Sequence, residues 1–277
     1  MGTVAPARRH GYPAVPARPD APWLCARLHA EPRQHDAVLA EGVPALLEAL
    51  PEGVRHWLFE RHAGTDPNVR LCFRGTSGAR WPELLRKLQL CAADLVDAGL
   101  ADRLAVDLAP ANGPAYGTSG QSVAVGHADS AAVLAQLRLA QVEAIRLAPA
   151  VLAAVGMAEL ARAFCGEARW TTELAALWPD AGTASPAAAR EVRQLIDPAA
   201  RADRADWALL APSWADRARV VTGHGTGVRR LAARDNDAAL VARALDRLLR
   251  AHHNRAVPAG TRTAAETLAL LHGALSG

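Results

Sequence analysis

A change of hydrophobic period at Pro110 constrains the fold of this 277-residue chain more than any other feature. Ahead of it, apolar residues recur at every second position in four short runs. Leu24, Ala26 and Leu28 alternate with Arg27 and His29, and Val54 to Arg61 alternates through Trp57 and Phe59. Val69, Leu71 and Phe73 alternate with Arg70, Cys72 and Arg74, and Leu104 to Leu108 closes the series. Residues two apart share a strand face, so these runs predict four strands. Between them, His35 to Leu50 and Trp81 to Ala98 carry helical stripes, the first through Val38, Leu39, Val43, Leu46, Leu47 and Leu50. Pro51-Glu52-Gly53, Thr65-Asp66-Pro67-Asn68 and Gly99 supply the breaks. The order is β-α-β-β-α-β, the split βαβ arrangement of ferredoxin-like domains. Such a sheet is covered by helices on one face only, so the face carrying Arg70 must meet something else.

After Pro110 the period becomes helical. Asn112 to Gly120 is a loop with three glycines, and helices are expected over 121–136, 139–164, 170–178, 187–196, 237–256 and 262–275, with a break from Pro179 to Pro186. The fold class is therefore α+β. A single domain over 22–277 has a sheet part, 22–110, and a helical part, 111–277, with a cleft between them. Residues 1–21 are rich in Pro, Ala and Arg without periodicity and read as a flexible arm.

Composition narrows the function classes. Hydrophobic residues make up 51% and charged residues 21%, which is a globular balance. Thirty of the 31 basic residues are Arg, Lys87 being the only lysine, a bias that fits a GC-rich genome. A net charge of +3 is too mild for a dedicated phosphate-backbone binder, so no nucleic-acid partner is expected. No apolar run reaches the ~18–20 residues of a membrane span, and Met1 to Asp20 lacks the apolar core of a secretory signal. A cytoplasmic protein with no membrane partner follows. Cys25, Cys72, Cys91 and Cys165 are too widely spaced for a zinc knuckle. In a reducing compartment they read as buried, inert thiols rather than disulfides, and neither metal nor organic cofactor is expected.

Four segments carry residues suited to chemistry. Thr222-Gly223-His224-Gly225-Thr226-Gly227 is glycine-rich but matches neither GxxxxGK[ST] nor GxGxxG, so it reads as a flexible turn from which His224 reaches a cleft. In the helix over 237–256, Val241, Leu245, Leu248 and His252 form the core stripe, which is the position of a satisfied core histidine. Arg243, Arg247, Arg250 and Asn254 follow another face, the usual place for solvated charge. His127 precedes Asp129 and Ser130, either of which suits a helix cap. Tyr116 lies in the glycine-rich loop, where a phenol either packs the loop down or moves a proton.

In order, the pieces resemble a known family. Trp23-Leu24, then Trp57-Leu58-Phe59-Glu60-Arg61-His62, then Asp66-Pro67-Asn68-Val69-Arg70-Leu71-Cys72-Phe73 resemble the W-L, W-F-F-I-R-Y and P-H-L-R-L-R-F series of the C-terminal domain of lantibiotic dehydratases, also called the thiopeptide-type bacteriocin biosynthesis domain. The likeness continues through Tyr116-Gly117, His127-Ala128-Asp129-Ser130 and His253-Asn254-Arg255. The resemblance implies one of two cofactor-free chemistries. In dehydratases the domain eliminates glutamate from glutamylated Ser or Thr. In thiopeptide pathways a stand-alone relative joins two dehydroalanines by a formal aza-[4+2] cycloaddition, then expels water and leader peptide to leave a pyridine-centred macrocycle.

The departures favour the pyridine synthase. Eliminating domains resemble R-L-R-F, E-x-x-R-Y-G-G and H-M-x-x-N-R. Here Cys72 replaces the second Arg, Asn112 the Glu, Ala115 the Arg before Tyr116, and Arg250 the His, while Arg70, Tyr116, Asn254 and Arg255 remain. Elimination must hold a leaving carboxylate and move a Cα proton, so these losses remove much of its equipment. Cycloaddition draws mainly on proximity. Tyr116, His127 and His252 are then the candidates for proton transfer, and Arg70 and Arg255 for polarising the amide. Arg243, Arg247, Arg250, Asn254 and His224 are the candidates for binding substrate or leader. The expected partner is a leader-bearing, dehydrated, azole-containing precursor peptide, together with other pathway enzymes. A glutamate eliminase of a split dehydratase and a non-catalytic leader-binding scaffold are the alternatives.

Overall fold

The computed structural model describes residues 23–108, 120–178 and 185–276, and the change of period becomes a change of layer. Strands β1 (Trp23–His29), β2 (Val54–His62), β3 (Asn68–Gly75) and β4 (Arg103–Leu108) form one open sheet in the order β2-β3-β1-β4. Each neighbouring pair is antiparallel. Helix α1 (35–48) and helix α2 (Trp81–Asp97) cover one face. Period two places the right residues there: Leu24, Ala26, Leu28, Trp57, Phe59, Val69, Leu71 and Phe73 pack against Val38, Leu39, Val43, Leu84, Leu88 and Leu95. The Val38–Gly42 stretch of α1 is π-helical, and a Cβ on Gly42 would stand 2.8 Å from the Leu95 side chain. The missing side chain lets α1 and α2 approach.

The second half is helical among the described residues. It comprises α3 (Gly120–Gln141), α4 (Pro149–Cys165), α5 (Trp170–Leu177), α6 (Pro186–Ile196), α7 (Ala205–Asp235), α8 (Ala239–Ala256) and α9 (Ala264–Ser276). α4 is apolar nearly all round and forms the axis of the second core, where Leu152, Val155, Leu160 and Phe164 meet Val192, Val221, Leu245 and Leu268. No single described helix is long and apolar enough to cross a membrane; α4 and α5 pass by composition only as a pair bent by 117°. The two halves share a core, since Val133, Leu134, Ala153, Ala256 and Val257 pack with the sheet.

Four local expectations are corrected. Thr222 to Gly227 is not a turn but lies inside the 31-residue α7. Its glycines mark close packing: a Cβ on Gly225 would stand 2.2 Å from the Phe164 carbonyl oxygen of α4, and one on Gly227 would stand 2.8 Å from the side chain of Gln121. Asp129 and Ser130 are not caps, because α3 starts at Gly120 and both lie buried in its interior. The helix expected over 139–164 breaks after Gln141, where Glu143 takes a positive φ of 55° and Pro149 opens α4. Cys25 and Cys72 face each other across the β1–β3 pair and form a disulfide, with Cα atoms 4.2 Å apart. Cys91 and Cys165 remain free, and burial raises both thiols to about 11, which keeps them protonated and unreactive. The 1–21 arm, most of the loop around Tyr116, and residues 179–184 lie outside the described residues.

Candidate functional site

The sheet face away from α1 and α2 carries the even-numbered residues of β2 and β3. Strand register aligns them in rows: Glu60, Arg70 and Arg27; Leu58, Cys72 and Cys25; His56, Arg74 and Trp23. The middle row is apolar and is capped by Val123 of α3. On one side of it, Arg70 lies 3.6 Å from the Glu60 carboxylate and 3.7 Å from Cys25 Sγ. On the other side, the Arg74 guanidinium stands 5.9 Å from the Trp23 ring.

Beside the first row, β2 and α8 enclose a cleft of about 610 Å³ lined by Glu60, His62, Arg243, Asp246, Arg247, Arg250, Ala251 and Asn254. Helical spacing explains the α8 wall, because positions four and three apart project from one face. Arg250 is held by Asp246 at 2.9 Å and stacks on Trp178 at 4.9 Å. Arg243 pairs with Asp237. Among the described residues Arg247 has no such carboxylate partner. Opposite, His62 Nε2 is 3.8 Å from Glu60. Burial pushes the His62 imidazole below its ordinary value; Glu60 pulls it up, while Arg70 and Arg27 push it down. The net result is a ring that stays neutral near pH 7 and can accept a proton.

Outside the cleft, β2 is an edge strand whose outward backbone groups need partners. Helices supply them as side chains. His127 Nδ1 of α3 lies 3.3 Å from Trp57 N and 3.0 Å from Trp57 O, and takes one of them according to its tautomer. Phe59 N donates to Ser130 Oγ at 3.3 Å. Arg61 N donates to Asn254 Oδ1 at 2.9 Å, and Asn254 Nδ2 donates back to Arg61 O at 2.7 Å. The Arg61 side chain donates to the Arg255 carbonyl at 2.9 Å and pairs with Asp36.

The residues singled out in the sequence divide accordingly. Arg243, Arg247, Arg250 and Asn254 come together in the cleft, and Arg70 reaches its Glu60 wall. His127 sits on the outer edge of β2, with the His56 ring 5.6 Å away edge to face. His252 and Arg255 are fully buried against Asp129, so as placed they do not touch a peptide lying in the cleft. His224 packs against Phe164 with ring centroids 5.8 Å apart, and it does not line the cleft. Tyr116 is outside the described residues. Sequence reasoning missed Glu60 and His62. Their signal was the same parity that placed Arg70, since even positions of β2 face it across the register. Among the described residues no group of three or more His, Cys, Asp or Glu is placed to hold a metal ion.

Residues 23–275 match the family model of the lantibiotic biosynthesis dehydratase C-terminal region. Among solved structures the chain is similar to the tRNA dependent lantibiotic dehydratase MibB from Microbispora sp. 107891, with a TM-score of 0.75 and 26% sequence identity. That match covers 98% of this chain but 28% of the dehydratase, so the chain spans less than a third of that protein's length. It is also similar to TbtD, the pyridine synthase from thiomuracin biosynthesis, with a TM-score of 0.55 and 14% identity, covering 92% of this chain and 97% of that one. At that identity the second likeness is one of fold alone. No curated protein matches the chain.

Proposed function

We propose that this chain, which belongs to the lantibiotic biosynthesis dehydratase C-terminal family, eliminates glutamate from glutamylated Ser or Thr residues of a leader-bearing precursor peptide bound in the cleft between β2 and α8. A role as a tailoring enzyme for a ribosomally made peptide is supported by the family match and by the likeness to the dehydratase. The observation that carries the finer reading is the pairing across the cleft. A neutral imidazole beside a carboxylate stands on the sheet side, and a row of guanidinium groups stands on the helix side.

Elimination needs both. His62 takes the Cα proton, and the electron pair left on Cα forms the Cα–Cβ double bond. The Cβ–O bond breaks, and glutamate leaves as a carboxylate. Arg247, with no carboxylate of its own among the described residues, receives that anion. Glu60 lies beside His62 and attracts a proton to it, and Arg70 pairs with Glu60. Arg250 stands where eliminating relatives carry His, but Asp246 and Trp178 hold it, so its place here is to shape the wall.

A second reading, the formal aza-[4+2] cycloaddition of two dehydroalanines, is favoured by one observation. Cys72, at the position of the second Arg of R-L-R-F, is closed in the disulfide with Cys25 and offers no cation. One assay separates the readings. The protein is incubated with a glutamylated, leader-bearing peptide and, separately, with a leader-bearing peptide containing two dehydroalanines, and products are weighed by mass spectrometry. Elimination releases glutamate from the first. Cycloaddition removes leader and water from the second. Tight binding of the leader without turnover of either would leave the non-catalytic scaffold.

A further inference from the structure

Behind the outer edge of β2 lies a fully buried cluster of charge. Asp129 of α3 and His252 and Arg255 of α8 are 0% exposed, and Arg217 of α7 is 1% exposed. All three partners converge on one carboxylate. His252 Nδ1 lies 2.8 Å and Arg217 Nη1 3.2 Å from Asp129 Oδ1, and Arg255 Nη1 lies 3.3 Å from Oδ2. Burial alone would protonate this carboxyl, but His252, Arg217 and Arg255 together hold its pKa far below the usual carboxylate range. Burial keeps His252 neutral. Gly156 of α4 makes the room, because a Cβ there would stand 2.2 Å from His252 Nε2.

The sequence neighbours of Asp129 and of the His252–Arg255 stretch are the ones that hold the strand edge. His127 and Ser130 flank Asp129 and meet the backbone of Trp57 and Phe59; Asn254 sits beside Arg255 and pairs with both backbone groups of Arg61. The residues of β2 between these anchors, His62 following the last of them, include Glu60, which lines the cleft with His62. One carboxylate thus ties α3, α7 and α8 together at the point where α3 and α8 grip β2.

We propose that Asp129 is a positioning residue: it locks α8 to α3 at the outer edge of β2 and so sets the gap between the arginine wall and the Glu60–His62 pair. The inference rests on the cleft reading given above for its catalytic consequence, but its structural content is independent of which peptide reacts there. Without the carboxylate, His252, Arg217 and Arg255 lose the one anion that joins them across α3, α7 and α8. α8 must then move from α3, and the side chains that satisfy the strand edge lose register with it.

Amide hydrogen exchange by NMR, without substrate, tests this directly on Asp129→Asn. The expected result is exchange about tenfold faster at the amides of Phe59 and Arg61, with the inner β1–β3 amides unchanged relative to wild type. In the elimination assay, KM for the peptide should rise about tenfold while kcat changes less, since the reacting groups remain but their spacing is lost. If Asp129→Asn does not fold, Arg217→Met removes one arm while leaving Asp129 paired with Arg255, and should give the same local pattern more weakly. Uniform loss of protection across the sheet, or unchanged exchange at residues 59 and 61, overturns the proposal. An inactive wild type would overturn the proposed function instead and leave this inference to the amides.

Discussion

Arg247 and Arg250 stand three positions apart on α8 and line the same cleft, yet they differ in freedom. Both are exposed, but Arg250 is held by a carboxylate and an indole, whereas Arg247 is without a carboxylate partner among the described residues. Arg247→Ala should therefore lower kcat/KM for an anionic peptide about 10²-fold, more than Arg250→Ala, as read from steady-state kinetics. Arg247→Lys should restore only part, because a point charge does not reproduce the planar fork. His62→Ala should lower kcat about 10²–10⁴-fold with thermal stability nearly unchanged, since its side chain is 46% exposed. An active, folded His62→Ala protein would remove it from the mechanism. At this scale the sequence was a good guide to direction and a poor one to depth. The spacing of Arg243, Arg247, Arg250 and Asn254 placed them on one face, and the stripe through Val241, Leu245 and Leu248 placed His252 inside. Nothing in a single sequence says that Arg217 and Arg255 are buried as well, because their common partner Asp129 lies 88 and 126 residues away.

Elements were legible where their pattern was local. All four strands appear within two residues of the expected bounds, and α2 and α8 follow their stripes. The helix expected over 139–164 and α7 are exceptions, the second because glycine, the strongest local signal for a turn, was used there for packing. Two glycines two residues apart make opposite predictions. Gly223→Ala meets nothing within 4 Å and should stabilise the protein by up to about 1 kcal/mol, the helix-propensity gain. Gly225→Ala makes the same gain but drives a Cβ into the Phe164 carbonyl, and should cost about 1–3 kcal/mol net. Chemical denaturation of the two variants checks both signs. The Cys25–Cys72 disulfide bridges residues 47 apart in sequence. Its removal by Cys72→Ser should lower stability by about 2–4 kcal/mol, and the loss should be reproduced in wild type by a thiol reductant strong enough to open a buried bond.

For the molecule as a whole, acid should be the destabilising direction in two stages. His35, His56, His62, His127, His224, His252 and His253 all sit below the ordinary histidine value, in each case chiefly through burial. Unfolded, they take up protons near pH 6.5, whereas folded they resist. The unfolded chain then binds more protons, and stability falls as pH drops from about 7 toward 5. Asp129 acts later. Its carboxyl is depressed in the fold, so its contribution persists until pH falls below the unfolded value of about 4 and is lost from there downward. Thermal melts from pH 8 to 3 should show both declines, and a melting temperature that stays level between pH 7.5 and 5 would refute the first.

The sequence by itself determined the period-two runs, the stripes of α2 and α8 and the family to which the chain belongs. These depend on residues near one another in the chain, whose side-chain directions follow from backbone geometry alone. Only the tertiary structure decided that Gly225 is a contact rather than a hinge, that Cys25 and Cys72 bond, and that Asp129 gathers charges from three helices. It also set Glu60 and His62 against the arginines of α8, a cleft made by segments nearly two hundred residues apart. Each of these depends on a partner brought close by packing, and burial, which sets both the pairing and the protonation of such groups, belongs to the folded molecule and not to the chain.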